Sequence, residues 1–203
     1  MGISYLYRFF GDDLFLQNLP ILKNIPVKKI EWLVKAIKGK INCPLTSGSG
    51  RIFDAISSIL GVCSYASFEA EAPMRLENIM AQNTTQHYPC ELKNEISFHE
   101  CIKEVVSDIQ KGTHPGTISA KFHNTIVSVI IETSKRIRND LGYNKVVLSG
   151  GTFQNKYILE KTEYELSKNK FLVYSHSRIP SNDGGISLGQ LAIAAKKREL
   201  GCV

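Results

Sequence analysis

The stretch that decides the fold is Lys145-Val146-Val147-Leu148-Ser149, which runs directly into Gly150-Gly151. Its β-branched run predicts a strand, and the two glycines predict a tight turn into a helix. We expect that helix to cover about Phe153 to Lys168, a second strand at 170–174, and a last helix at about 186–200. Strand, helix, strand and helix with short connections predict two parallel strands joined by a crossover helix.

Upstream of this stretch, apolar residues recur at helical rather than strand spacing. A first stripe, from Ile30 to Ile37, predicts a helix that ends at Gly39. The next helix is predicted to bury a face formed by Ile52, Phe53, Ile56, Ile59 and Leu60. Three more helices are predicted at about 72–82, 97–111 and 119–141. Residues 83–97 predict a loop or an edge hairpin. The fold class is therefore α/β with many helices.

Composition and charge exclude some classes of protein but do not decide the function. The 203 residues are 43% hydrophobic and 22% charged, which argues against a disordered chain. Because no segment approaches the ~18 apolar residues of a membrane span and no secretory signal is visible, we expect a cytoplasmic protein without a membrane partner. Five cysteines without a Cys-x-x-Cys pair predict reduced thiols. The net charge of +6 is spread along the chain, which fits nucleotide or phosphate handling as well as a polyanionic partner.

The glycine turn between the first predicted strand and its helix is the strongest local feature. Gly150 and Gly151 let the backbone approach a ligand closely, and the helix start that follows attracts anions. Asn155 lies one turn further on, where its amide can face the same ligand. The alternative is a tight turn whose glycines serve packing alone. The residues by themselves leave both explanations open.

A second loop, Ile179-Pro180-Ser181-Asn182-Asp183-Gly184-Gly185, follows the second predicted strand. It lies at the carboxyl end of the sheet, where open α/β folds bind their ligands. Asp183 is predicted either to cap the helix that follows or to bind a metal ion. His176 and Arg178 either join the same pocket or are plain solvated side chains.

A third segment, Ser47-Gly48-Ser49-Gly50, opens the helix that carries Asp54. Gly50 allows close approach of a ligand, and a carboxylate at Asp54 can accept hydrogen bonds from ribose hydroxyls. The alternatives are an exposed carboxylate near the helix start or a surface ion pair with Arg51.

Two other patterns concern metal and acid–base chemistry. Glu69 and Glu71 are predicted either to do acid–base work or hold a cation, or to belong to a solvated acidic stretch before a helix. No two of the five histidines stand three or four residues apart, so the chain offers no helical two-histidine metal site. No residue is an obvious nucleophile or base.

Three ordered segments carry a family resemblance. They are Asn42-Cys43-Pro44-Leu45-Thr46-Ser47 with Gly50-Arg51-Ile52-Phe53-Asp54-Ala55, then Leu148-Ser149-Gly150-Gly151-Thr152-Phe153-Gln154-Asn155, then Pro180-Ser181-Asn182-Asp183-Gly184-Gly185-Ile186-Ser187-Leu188-Gly189-Gln190. Together they resemble the C-terminal region of the HypF-type carbamoyltransferases that mature nickel–iron hydrogenases. The resemblance runs from about Ser4 to Ala195. The wider family includes tRNA threonylcarbamoyl-transferring enzymes, O-carbamoyltransferases and actin-like ATPases.

The resemblance implies a fold and a domain organisation. It implies the helix-rich second lobe of an actin-like ATPase (ribonuclease H-like) fold, with a short mixed or parallel sheet. Residues 1–203 then form one C-terminal lobe, with a helical insert and a nucleotide-contacting helix in 1–115 and a helix plus β-α-β-α core in 116–203. The family's first lobe carries paired histidines that bind a metal, so this chain is expected to need that N-terminal lobe as a partner for turnover.

The resemblance also implies the roles of individual residues. The nucleotide-binding positions are Gly50, Asp54, Gly150, Gly151 and Asn155. Asp183 matches the carboxylate that completes a divalent metal site, iron or zinc, with the histidines of the other lobe. The cofactors implied are ATP or carbamoyl-adenylate and that metal.

The implied reaction transfers the carbamoyl group to the C-terminal cysteine of a HypE-type maturation protein, during synthesis of the cyanide ligand. The acceptor is a thiolate, so docking of that partner is part of the reaction. The alternatives are a tRNA threonylcarbamoyl-transferase-like lobe and a module that binds nucleotide or protein without chemistry. The hydrogenase-type motifs argue against a nucleic-acid partner.

Overall fold

The computed structural model describes residues 1–201, so the predicted thiol of Cys202 lies outside the described residues. The chain divides into two compact units, Met1–Val129 and the part from Ile130 onward. The helices and strands of the first unit are α1 (Gly2–Phe10), α2 (Pro20–Asn24), α3 (Val27–Lys38), α4 (Ser49–Ile59), α5 (Glu71–Asn78), β1 (Glu91–Leu92), β2 (Ile96–Ser97) and α6 (His99–Gln110). The division falls inside the long helix α7 (Pro115–Leu141).

The core of the first unit is built around α4, which contacts α1, α2 and α5. The five residues of its predicted apolar face are all buried: Ile52, Phe53, Ile56, Ile59 and Leu60. Each such side chain contributes about 1.5–3 kcal/mol on leaving water. Phe53 meets Phe122 of α7 edge-on, with ring centroids 4.9 Å apart. Helical periodicity therefore predicted this core correctly.

The region between α5 and α6 departs from the prediction in one place. β1 and β2 pair antiparallel, which confirms the hairpin predicted for residues 83–97. Helix α5, however, ends at Asn78 rather than near residue 82. The Ala81 N–H donates to the carbonyl oxygen of Gly116 at 2.9 Å, so a contact with α7 replaces the next helical hydrogen bond. A tertiary contact here overrides local helix preference.

The second unit contains the β-α-β-α arrangement that the decisive stretch predicts. Its elements after α7 are β3 (Lys145–Leu148), α8 (Lys156–Lys168), β4 (Leu172–Ser175) and α9 (Ile186–Glu199). Strands β3 and β4 are parallel, with Lys145 opposite Leu172 and Leu148 opposite Ser175. Leu148 is buried with Ile158 and Leu166 of α8. This confirms a helix-rich α/β chain with small sheets.

The crossover helix α8 begins three residues later than the prediction. A 3-10 turn, Gly151–Gln154, stands where the helix was expected to start. Asn155 then caps α8, because its Oδ1 accepts the N–H of Ile158 at 2.9 Å. Asn155 therefore separates the 3-10 turn from α8 and fixes where α8 begins. The spacing of apolar residues alone does not locate this helix start.

Helix α9 has no buried residue. Its apolar side chains Ile186, Leu188, Leu191 and Ile193 are each more than half exposed. Among residues 1–201, no helix is both long and apolar enough to cross a membrane.

Candidate functional site

The two loops that follow the parallel strands meet directly. The Gly150 N–H, after β3, donates to the carbonyl oxygen of Ser181, after β4, at 2.7 Å. Because the strands are parallel, both loops leave the same edge of the sheet. This edge is where open α/β folds bind their ligands. Two of the three segments singled out in the sequence therefore form one site.

A second contact joins these loops through side chains. His176 Nε2 and Ser149 Oγ lie 2.9 Å apart, within hydrogen-bond distance. Each residue stands directly after the last residue of its strand, Leu148 or Ser175. His176 therefore contacts the loop after β3, and its role in a ligand pocket with Asp183 stays a prediction. Arg178 is exposed.

A cavity of about 160 Å³ lies between the two loops. Its wall is largely apolar, with Leu148, Phe153, Leu159, Ile179 and Pro180. His176, Ser181 and Gln154 supply its polar groups. Complete small-molecule sites usually enclose about 300–1,000 Å³, so this cavity suits one part of a ligand.

The two glycines of the turn have different structural roles. Gly150 has φ of 102° and ψ of 162°, a backbone region that is essentially restricted to glycine. Gly151 has no such requirement, and a Cβ added to it would meet nothing within 4 Å. A Cβ at Gly150 would also meet nothing within 4 Å. Close packing therefore does not account for a glycine at either position. Gly150 allows the backbone conformation of the turn, and Gly151 leaves open space beside the turn.

The loop that carries Asp183 is capped by its neighbour. Asn182 Oδ1 accepts the N–H of Gly184 at 3.1 Å and so caps only the short turn Asp183–Gly185. Helix α9 begins after Gly185 without a side-chain cap, so the prediction that Asp183 caps that helix is wrong. Asp183 is exposed at the start of the short turn Asp183–Gly185. Its carboxylate forms no ion pair or hydrogen bond with another residue in the range 1–201. Asn155 uses its side-chain oxygen as the α8 cap, and its role toward a nucleotide stays a prediction.

The described residues do not form a metal site by themselves. Within 1–201, no three His, Cys, Asp or Glu side chains are grouped closely enough to hold a metal ion. Metal ions in proteins need several ligands, and Asp183 offers one carboxylate. The predicted divalent metal is therefore not supported by this chain, and a ligand role for Asp183 stays a prediction.

Gly50 and Asp54 lie in the first unit, so their convergence with the loops of the second unit stays a prediction. Asp54 forms an ion pair with Arg51 at 3.0 Å, as one alternative proposed. Burial raises the pKa of the Asp54 carboxyl above its ordinary value, and the Arg51 guanidinium offsets part of this rise. A Cβ at Gly50 would meet nothing within 4 Å, which leaves that helix start open.

The acidic pair Glu69 and Glu71 separates into two different environments. Glu69 is exposed, as expected for a solvated acidic stretch. Glu71 is buried, accepts hydrogen bonds from the N–H and hydroxyl of Ser67, and pairs with Arg75. The backbone hydrogen bond from Ser67 is the main cause that lowers the pKa of Glu71. Glu71 therefore holds the segment before α5 in place through Ser67, and the prediction that it belongs to a solvated acidic stretch is wrong.

Two groups of residues were missed from the sequence. Ser149 was not a candidate, although it directly follows a strand of the parallel pair, as the candidate His176 does, and that shared position could have identified it. The second group is Tyr88, Asp108 and Lys121, a hydrogen-bonded network in the first unit in which Tyr88 and Asp108 are buried and Lys121 is partly buried. It lies beside an open cavity of about 640 Å³ lined by residues 85–89, Glu104 and Lys121. Its members are far apart along the chain, so no local spacing indicates it.

A parallel βα pair whose two following loops meet beside a cavity is typical of ligand-binding α/β domains. Comparison with known families identifies the particular one. The chain belongs to the family described as the second subdomain of the Kae1-like domain of carbamoyltransferases, whose model matches residues 1–190.

Individual relatives agree with this assignment. The carbamoyltransferase HypF of Synechocystis sp. is 36% identical over 230 residues, which cover 100% of this chain and 28% of that protein. The probable carbamoyltransferase HypF of Methanocaldococcus jannaschii is 29% identical over 94% of this chain and 25% of its own length. This chain therefore spans about a quarter of the length of these relatives.

Solved structures support the fold. A full-length HypF crystallised in a phosphate- and nucleotide-bound form superposes with a TM-score of 0.87 and 38% identity, over 96% of this chain and 31% of that one. HypF from T. kodakarensis gives a TM-score of 0.80 at 22% identity, which bears on the fold alone.

Proposed function

We propose that this chain is the part of a carbamoyltransferase that binds a nucleotide through the loops after β3 and β4. The observation that carries the proposal is the hydrogen bond from Gly150 to Ser181, because it makes one site from the two loops. The nucleotide-bound HypF structure that resembles this chain supports the same class of ligand. Gly151 and Asn155 are proposed to contact the phosphates, and Asp54 is proposed to contact the sugar or base.

The reaction proposed for the complete enzyme follows from the family. The enzyme binds carbamoyl-adenylate and transfers the carbamoyl group to the C-terminal cysteine of a HypE-type partner in nickel–iron hydrogenase maturation. Because this chain spans about a quarter of its relatives, the rest of the enzyme supplies the remaining groups. Asp183 is proposed as the one carboxylate that this chain contributes to a divalent metal held mainly by those groups. An actin-like arrangement of two lobes is proposed on the same basis.

A chimera tests this proposal directly. This chain replaces the matching 28% of the Synechocystis carbamoyltransferase, and carbamoyl transfer to the partner's cysteine is measured by mass spectrometry. We expect the chimera to be active and the variants Asp54→Asn and Asp183→Asn each to lose at least about 100-fold in transfer rate. Asp140→Asn, a change at an exposed aspartate of α7, is the matched control and should keep full activity.

The contradicting results are equally defined. An active chimera whose Asp54→Asn and Asp183→Asn variants both transfer at the unmodified rate would overturn the assigned site. Transfer that depends on added tRNA would instead favour the threonylcarbamoyl-transferring class.

A further inference from the structure

Helix α3 presents the one tryptophan of the chain on the side that faces away from the core. The buried residues of α3 are Ile30 and Val34. Trp32 lies two residues from each of them, which places it on the opposite side of a helix with 3.6 residues per turn. The residue is 70% exposed. Tryptophan is strongly enriched among the central contacts of protein interfaces, but a single exposed apolar residue is common on protein surfaces.

Lysines surround Trp32 on the same side of α3. Lys28 stands four residues before it and Lys35 three residues after it, and both spacings make side chains neighbours on a helix. Both lysines are exposed, and within residues 1–201 neither forms an ion pair. Lys29 is oriented differently, because its Nζ donates to the Tyr65 hydroxyl at 3.3 Å. Lys28, Trp32 and Lys35 are called the α3 face below.

The positive charge of the chain is concentrated around the α3 face. Residues 20–41 hold six lysines and one glutamate, a balance of +5 in a chain whose net charge is +6. The rest of the chain is therefore nearly neutral. A surface of one charge attracts a surface of the opposite charge and raises the rate of encounter. A complementary occupant is acidic and offers an apolar side chain to Trp32.

We propose that the α3 face is a docking surface for an acidic segment of another protein. An apolar side chain of that segment packs against the Trp32 ring, and its carboxylates lie beside Lys28 and Lys35. This inference goes beyond the proposed nucleotide site and does not depend on it.

The surroundings of Trp32 favour a protein rather than a membrane or a nucleic acid. A helix that lies on a membrane buries its own apolar side in the lipid. The apolar side of α3, with Ile30 and Val34, is already buried in the protein. Proteins that bind single-stranded nucleic acid place aromatic side chains along a basic groove. Trp32 is the one aromatic residue of α3, and it stands on the outer side of a helix.

The test adds to the full chain a peptide of about 14 residues, in which leucine and phenylalanine recur every three or four positions among glutamates. Because Trp32 is the one tryptophan present, its fluorescence reports directly on the α3 face. We expect its emission to move to shorter wavelength as the ring leaves water. The dissociation constant, measured by calorimetry, should rise with salt. A peptide with serine in place of leucine and phenylalanine should bind at least about tenfold more weakly.

Variants of the α3 face separate the aromatic contact from the charges. Trp32→Ala should raise the dissociation constant at least about tenfold, as truncation of a central aromatic contact does. Lys28→Gln combined with Lys35→Gln should raise it about three- to tenfold at low salt and weaken its salt dependence. All three side chains are exposed, so the variants should keep the urea midpoint of the unmodified chain.

Matched controls change the same residue types outside the α3 face. Tyr164→Ala removes an aromatic residue of α8 that is 61% exposed and has Lys161 over its ring. Lys111→Gln combined with Lys168→Gln removes two exposed lysines. Both control proteins should bind the peptide as tightly as the unmodified chain does.

Each contrary result overturns the proposal. Such results are an absence of peptide binding, equal binding of the serine peptide, or losses in the control proteins as large as those in the α3 variants. Tighter Trp32-dependent binding of oligothymidylate or of phosphatidylglycerol vesicles would assign the face to a nucleic acid or a membrane instead. Loss of peptide binding in the chimera with the Synechocystis carbamoyltransferase would show that the rest of the enzyme, and not another protein, covers the α3 face.

Discussion

At the scale of single residues, the two glycines of the site predict opposite effects of substitution. Gly150→Ala forces a side chain into a glycine-only backbone region and should lower the free energy of unfolding by about 1–3 kcal/mol. Gly151→Ala meets open space, so its stability should stay within about 0.5 kcal/mol of the unmodified chain. If a ligand approaches Gly151, the same substitution should weaken AMP binding. Urea unfolding and calorimetry measure the two effects.

Gly189→Ala provides the control for this pair. It lies in α9, where a Cβ also meets nothing within 4 Å, so it should leave AMP binding unchanged. If Gly151→Ala binds AMP as well as Gly189→Ala does, the open space beside Gly151 does not receive the ligand.

A single buried histidine predicts acid sensitivity of the first unit. His123 is fully buried against Phe53 and Phe122, and its Nδ1–H donates to the Ser119 carbonyl at 2.8 Å. Burial lowers the pKa of His123 below its ordinary value of 6.5, and the hydrogen bond offsets part of this. The stability that the neutral ring contributes is therefore complete above about pH 6.5 and is lost as the pH falls below it.

The measurement is the urea midpoint of the full chain between about pH 7.5 and pH 5.5. We expect the midpoint to fall with pH in the unmodified chain and to fall less steeply in His123→Asn, whatever the overall stability of that variant. Replacing the exposed His87 by Gln should leave the slope unchanged. Equal slopes in the unmodified chain and His123→Asn would exclude His123 as the cause.

At the scale of elements, a partly buried hydrogen-bonded network connects the segment before β1 to α6 and α7. Asp108 of α6 accepts hydrogen bonds from the Tyr88 hydroxyl at 2.8 Å and from Lys121 Nζ at 2.7 Å. Lys121 also lies over the Tyr88 ring, 4.7 Å from its centroid. Burial acts to raise the pKa of Asp108, but the hydrogen bonds from Lys121 and Tyr88 outweigh it and lower the pKa overall. The ionised carboxylate therefore depends on its two partners.

Removing Lys121, one of the two partners of Asp108, should therefore lower the stability of the protein. Lys121→Met leaves the Asp108 carboxylate buried without its counter-charge and should lower the free energy of unfolding by about 3–5 kcal/mol in urea titrations. Lys135→Met, which breaks the exposed pair with Glu132, should cost less than about 1 kcal/mol. The double variant Asp108→Asn with Lys121→Met should recover part of the loss. A loss as small as that of Lys135→Met would show that the pair contributes no more than a surface pair.

The elements show what a sequence can and cannot predict. Apolar periodicity located α3, α4 and the two strands of the parallel pair, because the pattern that defines each element lies within its own stretch of sequence. The last residue of α5 and the first residue of α8 differ from the predicted ones, because Gly116 and Asn155 supply hydrogen bonds that apolar periodicity does not encode.

The site shows the same division. The loops at Gly150 and Ser181 were predictable, because parallel strands bring their ends together. The side-chain partners in these segments could be assigned only from coordinates: Asn182 caps the short turn that begins at Asp183, α9 has no side-chain cap, and Glu71 is buried rather than solvated.

At the scale of the whole molecule, the second unit exposes apolar surface that parallel sheets normally cover. Val147, Leu172 and Tyr174 lie on one face of the two-stranded sheet, because Val147 stands opposite Tyr174 and two residues from Lys145, the partner of Leu172. All three are more than half exposed. Parallel sheets are usually covered on both faces, and two strands alone are marginal in water.

This surface predicts that the full chain by itself associates with further copies in solution. Light scattering over a series of micromolar concentrations should show a mass that rises above 22.7 kDa. Val147→Lys combined with Leu191→Lys places charge on the exposed sheet face and on α9, and should return the mass to that of a monomer, since charge opposes apolar association. Leu45→Lys removes an even more exposed leucine from the first unit and should associate like the unmodified chain. A monomer at every concentration, or a Leu45→Lys variant that dissociates as fully as the double variant, would exclude this surface as the cause.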